Sequence, residues 1–279
     1  MTTRRGALGL TAGSLAAGVL AGCTKRSTKP PAGTTRTHYG RLRDQFGDLY
    51  LPGGTPRGTV VLLHGGFWLS DYNLDLMVPI AKALQKDGWA VWNLEYRRLN
   101  AGGGYPATFE DAAAGIDHLT ELEGVDRDHV VLLGHSAGGQ LAAWAASRTD
   151  QTPGGPPKVD VSGVVSLAGV LDLAGGAGDH IGNGTIQQLM GGSPGDVPEH
   201  YALGDPLSLA PASCPVACLH GTDDDVVPAG QSTGYVTAAS KAGGMASYDE
   251  VPGTHFTIID PKEQAWGRTL GRVTSLARA

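Results

Sequence analysis

The chain has 279 residues, 41% of them hydrophobic and 17% charged, which allows one large domain or two small ones of ordinary soluble composition. A formal net charge of −6 with no basic stripe argues against a nucleic-acid partner. Three cysteines, at 23, 214 and 218, write no disulfide framework.

The first segment, "MTTRRGALGLTAGSLAAGVLAGC", carries Arg4-Arg5, then an apolar run, then small residues up to Cys23. Ala7 to Gly22 would make a helix of about 24 Å, short of the roughly 30 Å hydrocarbon core of a bilayer. A cleavable export signal over 1–22 is therefore expected rather than a spanning helix. Thr3-Arg4-Arg5 followed by Leu8 is similar to a twin-arginine signal, with a plain secretory signal as the alternative. Leu20-Ala21-Gly22-Cys23 resembles a bacterial lipobox, whose cysteine is acylated after cleavage. The resemblance implies a lipoprotein on the outer face of the cytoplasmic membrane, touching it only through the lipid on Cys23. An ordinary signal peptide with an incidental cysteine is the other reading. Residues 23–37, polar and proline-bearing, read as a flexible tether, so a domain is expected from about His38.

From Thr59 onward two signals alternate. Short apolar runs predict strands at 59–63, 89–96, 129–134, 161–169 and 215–221, and 246–253 reads as a further strand. Helical spacing predicts helices at 74–88, 109–124, 137–148, 229–243 and from 262 to the end. Strands alternating with helices give an α/β fold, a mainly parallel sheet with helices on both faces. Solid apolar strands suit a sheet buried on both sides. Residues 38–58 are expected to add antiparallel strands at one edge. Between 174 and 210 the rhythm breaks into glycine- and proline-rich sequence too long for a plain connection, and a small cap is expected there.

The stretch "VVLLGHSAGGQLAAW" places Ser136 between Gly134 and Gly138 where a strand gives way to a helix. A turn that tight needs small residues two positions either side, and it lifts the hydroxyl clear of the strand end, beside the free N–H groups of a helix start. A serine there needs a base to become a nucleophile. Of the nine histidines, His255 in "VPGTHFTIID" follows a late strand and is the expected base. His38 lies near the tether, His118 and His129 beside a helical surface, and His180 and His200 in the cap. His220 ends a strand and is expected to shape its loop, and His135, next to the serine, is expected to point away. The acid is expected on "GTDDDVVP", where Asp223, Asp224 and Asp225 all remain open, with Asp172 as an alternative.

The order Ser136, acid, His255, with "HGGFW" (64–68), "GHSAGG" (134–139), "HGTDDDVVP" (220–228) and "GTHF" (253–256), resembles the α/β-hydrolase superfamily across residues 40–275. The branch resembled is that of esterases, lipases and kynurenine-formamidase-like enzymes. The resemblance implies Asp224 as the acid, four residues after His220. It also implies an oxyanion hole from the N–H groups of Gly66, Phe67 and Ala137. Phe67, Trp68, Tyr96 and Tyr105 either line a pocket or pack. Arg97 or Arg98 either anchors an acidic group or pairs with Glu95. Cys214 and Cys218 are expected to be buried thiols on one strand face.

These residues imply a serine hydrolase that cleaves carboxylic esters through an acyl-enzyme, with no metal or organic cofactor. Its partner is a small-molecule ester or amide. An aryl-formamidase is the alternative, disfavoured by the export signal; a peptidase and a non-catalytic binding module follow.

Overall fold

Short extended runs, most of them apolar, alternate with helices to build an eight-stranded sheet in the computed structural model, which describes residues 30–278. The expected export signal at 1–22, and with it Cys23, lies outside the described residues. In chain order the elements begin with β1 (Thr35–His38), β2 (Phe46–Tyr50), β3 (Thr59–Leu63), α1 (Val78–Lys86) and β4 (Ala90–Leu94). They continue with α2 (Ala107–Asp117), β5 (Val130–His135), α3 (Ala137–Ala145) and β6 (Gly163–Leu167). Three short helices follow, α4 (Leu173–Gly178), α5 (Thr185–Met190) and α6 (Pro198–Gly204). The chain closes with β7 (Val216–Gly221), α7 (Gly230–Lys241), β8 (Ala246–Val251) and α8 (Ala265–Leu276).

The strands lie in the order β1-β2-β4-β3-β5-β6-β7-β8. The β1–β2 and β2–β4 pairings are antiparallel and all others parallel. Antiparallel strands thus stand at the edge where the sequence predicts them. The first strand starts at Thr35, three residues before the expected domain start. Its polar sequence carries no apolar period; Arg36 holds it in the sheet through a two-pronged bond to the buried Asp48, at 2.7 and 2.8 Å.

Alternation along each strand divides the core in two. Val61, Leu63, Leu132, Val164 and Cys218 point to one face, where α2, α3, α7 and the three short helices pack. Val60, Leu62, Val131, Leu133, Val165 and Leu219 point to the other, against α1 and α8. Ala265, Thr269, Val273 and Leu276 form the buried stripe of α8, at spacings of a helical period. Each fully buried Leu or Val contributes about 1.5–3 kcal/mol, so a sheet covered on both faces needs the solid apolar runs observed. The helix expected at 74–88 opens as a 3₁₀ turn, Leu74–Met77, capped by the Asn73 side chain, before α1 begins. The helix expected at 109–124 starts earlier and stops at Asp117, followed by the 3₁₀ turn His118–Thr120. The stretch expected as a cap holds α4, α5 and α6. No helix among the described residues is long and apolar enough to cross a membrane.

Candidate active site

Parallel strands bring their carboxyl ends to one rim of a sheet. Here β3 delivers His64 to Trp68, β5 delivers Ser136, β7 delivers the 222–228 turn, and β8 delivers the loop with His255. Four segments far apart in sequence therefore meet at one edge.

Ser136 sits in the turn from β5 to α3 with φ 53° and ψ −117°, a strained conformation for a side-chain-bearing residue, of order 1–3 kcal/mol. The glycines around it are steric requirements. A Cβ at Gly134 would lie 2.0 Å from the carbonyl oxygen of Gly138, and one at Gly138 would lie 2.1 Å from that of Leu63. The Ser136 amide donates to the carbonyl of Leu167 at 2.8 Å, pinning the turn to β6. Its hydroxyl is buried and makes no hydrogen bond among the described residues.

Asp224 and His255 are in direct contact. The ring N–H at Nδ1 of His255 donates to Asp224 Oδ2 at 2.7 Å, with both side chains almost wholly buried. The other carboxylate oxygen accepts from the amides of Val226 and Val227, each at 2.9 Å. Burial alone would raise the Asp224 carboxyl. Hydrogen bonds from His220, His255 and the Val227 amide outweigh it and hold the group well below the usual carboxylate range. His220 does shape this loop: Nε2–H donates to the Val227 carbonyl at 2.8 Å and lies 3.4 Å from Asp224 Oδ2, while Nδ1 meets the Ser232 hydroxyl at 2.9 Å. Asp223 and Asp225 are exposed. Asp172 caps α4, accepting from the Gly175 amide at 2.7 Å, which corrects its candidacy as the acid.

His135 departs from expectation. Its ring packs 4.7 Å from that of His255, and Nε2–H donates to the His255 backbone carbonyl at 2.9 Å. A residue beside the elbow thus points into the site's supporting shell, because β5 and the β8 loop converge on its side.

The loop after β3 lies against the elbow. A Cβ at Gly65 would stand 3.0 Å from that of Ser136. Gly66 has φ 110°, and Phe67 and Trp68 have φ 50° and 55°, left-handed values for two residues with side chains. The Gly66 carbonyl accepts from the Leu69 amide at 2.9 Å, closing a tight turn around them. Ala137 is the first residue of α3, so its N–H has no partner within the helix. Beneath the loop, His64 Nε2 meets Glu95 Oε1 at 3.0 Å and its ring stacks on Tyr96 at 4.4 Å. Arg98 lies 3.3 Å from Glu95 and 2.8 Å from Asp44, so the expected pairing with Glu95 is met by Arg98. Arg97 instead grips Asp111, at 2.6 and 2.7 Å. Trp68 and Tyr96 are fully buried packing residues, whereas Phe67 and Tyr105 are half-buried. Cys214 and Cys218 are free and buried in one core cluster, but only Cys218 lies on a strand, Cys214 standing two residues before β7.

Sequence reasoning missed Gln140, the contact of Glu95 with His64, and the inward His135. Gln140 sits at i+4 from Ser136, a spacing that puts it over the same helical turn, but a polar residue in an apolar run gives no partner from sequence alone.

The arrangement has the parts for acyl transfer, and known proteins with similar chains carry related names. A family model described as BD-FAE matches residues 48–238. "Esterase LipQ" of Mycobacterium tuberculosis is 26% identical over 219 residues, 75% of this chain and 52% of that protein. A "probable isoprenylcysteine alpha-carbonyl methylesterase ICME" of rice (Oryza sativa subsp. japonica) is 24% identical, over 83% of this chain and 60% of its own length. The chain thus spans about half the length of the curated relatives it matches. Among solved structures, a truncated carbohydrate esterase from gut microbiota superposes with a TM-score of 0.74 at 22% identity, covering 90% of this chain and 99% of that one. Esterase B from Lactobacillus rhamnosis superposes with 0.71 at 20% identity, covering 90% and 88%. At such identities the likeness is one of fold, an α/β-hydrolase fold.

Proposed function

The chain belongs to the BD-FAE family, and from that membership we propose that it is a serine hydrolase acting on carboxylic esters of small molecules. The observation that carries the reading is the buried 2.7 Å contact of His255 with Asp224 at the rim where the strained Ser136 turn stands. With Nδ1 bound to the carboxylate, Nε2 is the ring nitrogen left to act as base. Ser136 attacks the ester carbonyl as His255 takes its proton, and Asp224 steadies the imidazolium. The amides of Gly66, Phe67 and Ala137 receive the negative oxygen, a donor worth about 2.7–4 kcal/mol in the transition state. His255 then protonates the leaving alcohol, and water releases the acyl group by the reverse roles.

Relatives named esterase and methylesterase support an ester over a formamide. We also propose, from the sequence of residues 1–37, that the protein is exported and held by a lipid on Cys23, with the domain from β1 onward as its catalytic part and 174–210 as a cap. A Cys23→Ala form that stays in the membrane fraction refutes the anchor.

The test of activity is labelling with a fluorophosphonate, alongside hydrolysis of short p-nitrophenyl esters. Ser136→Ala is expected to fold, to lose labelling and to lose esterolysis. Equal activity in that variant, or a labelled peptide without Ser136, removes the assignment.

A further inference from the structure

Gln140 stands one helical turn beyond Ser136 on α3, in a run whose other members, Leu141 to Ala145, are apolar and buried. It is itself fully buried and uses both ends of its amide on segments outside its helix. Oε1 accepts from the Trp68 indole N–H at 3.1 Å, and Nε2–H donates to the carbonyl of Gly204 at the end of α6, also at 3.1 Å. Trp68 belongs to the turn after β3 in which two successive residues carry left-handed φ angles. Such a turn persists only where its surroundings over-determine it. Two bonds do so from the Trp68 side: the Leu99 amide donates to the Trp68 carbonyl at 2.7 Å, and Gln140 receives the indole. A fully buried indole N–H requires a partner, so the side chain at 140 decides whether the ring stays where it is.

Resting on the esterase reading above, we infer that Gln140 is a positioning residue for ester hydrolysis. Through Trp68 it fixes the Phe67 amide relative to Ser136, and through Gly204 it ties that geometry to the cap. The helix that carries the nucleophile thereby sets the place of the oxyanion donor as well, without Gln140 touching substrate.

Trp68→Phe tests this, since it keeps an aromatic ring and deletes the N–H. Measured are kcat and KM for a p-nitrophenyl ester, inhibition by a trifluoromethyl ketone, whose hemiketal oxygen mimics the tetrahedral intermediate, and the thermal midpoint. Misplacement of a reacting group by about 1 Å costs up to about a hundredfold in rate. A partial release is expected to lower kcat about tenfold and to weaken the ketone by a similar factor, with KM little changed. Gln140→Met is expected to act alike, and the double variant to be no worse than the worse single one. If Gln140→Met does not fold, Trp68→Phe decides alone. Unchanged kcat and unchanged ketone affinity in a folded Trp68→Phe, even with a lowered thermal midpoint, overturn the positioning role and leave the esterase reading standing. A wild-type protein inert to all esters overturns both.

Discussion

The Nε2–H of His135 donates to the backbone carbonyl of His255 at 2.9 Å, so the residue before the elbow serine holds the loop that carries the base. Burial, with the neighbouring His255 adding to it, pushes the His135 imidazole down to about 3, whereas an unfolded histidine titrates near 6.5. Between those values the unfolded chain binds a proton that the folded chain refuses. The contribution of His135 to stability is therefore full above about pH 6.5 and lost as pH falls towards about 3, with a slope approaching 1.4 kcal/mol per pH unit. His135→Gln keeps an N–H for the His255 carbonyl and cannot titrate. Urea midpoints measured from about pH 7 to pH 4 should fall less steeply in that variant than in the wild type.

Asp224 has two jobs that different substitutions separate. Asp224→Asn retains an oxygen for the amides of Val226 and Val227 but removes the charge facing His255. It should fold and lose about 10³–10⁴ in kcat, the scale of losing a buried triad carboxylate. Asp224→Ala additionally leaves both amides without their acceptor, at about 1–3 kcal/mol each where they are shielded from water. Asp223→Asn and Asp225→Asn change exposed carboxylates, and their kcat should match the wild type. Loss of activity in Asp225→Asn alone would move the acid to that position.

How much of this was legible in the sequence follows the range of the forces involved. Solid apolar runs report burial directly, so the buried parallel strands β3 to β7 were locatable, as was the serine turn, whose glycines answer to local sterics. Strand β1 was not, because "TRTH" owes its place to Arg36 and Asp48, a pairing across twelve residues. The acid illustrates the middle case. Pattern left three adjacent aspartates open; only the folded turn, which aims one carboxylate at His255 and exposes its neighbours, separates them by geometry. The inward turn of His135 and the span of Gln140 from Trp68 to Gly204 depend on segments that meet only after folding.

Burial pushes the Cys218 thiol up to about 12 and the Cys214 thiol up to about 11. The thiolate is the reactive form, and at about pH 8 neither group supplies a useful fraction of it. Iodoacetamide at that pH should leave native activity unchanged and leave both cysteines unmodified, as peptide mass spectrometry would read. After unfolding both should react. Loss of activity in step with alkylation of either residue would argue that a thiol lies open to the site.

Two pairs of glycines in this chain should answer oppositely to alanine. At Gly134 the new methyl meets backbone 2.0 Å away, with no flexible side chain to yield, so Gly134→Ala should cost about 3 kcal/mol or more or prevent folding. Gly138→Ala, 2.1 Å from the Leu63 carbonyl, belongs with it. Gly267 and Gly271 instead lie on the exposed face of α8, where an added Cβ meets nothing within 4 Å and neither φ is left-handed. Alanine there removes backbone freedom from the unfolded chain and should stabilise the fold by about 0.5–1 kcal/mol per site. For a domain of this size each kcal/mol raises the thermal midpoint by about 2–4 °C, so the Gly267→Ala, Gly271→Ala double variant should melt measurably later in calorimetry. An earlier melting point would mean that this helix face gains something from its glycines that the folded chain by itself does not require.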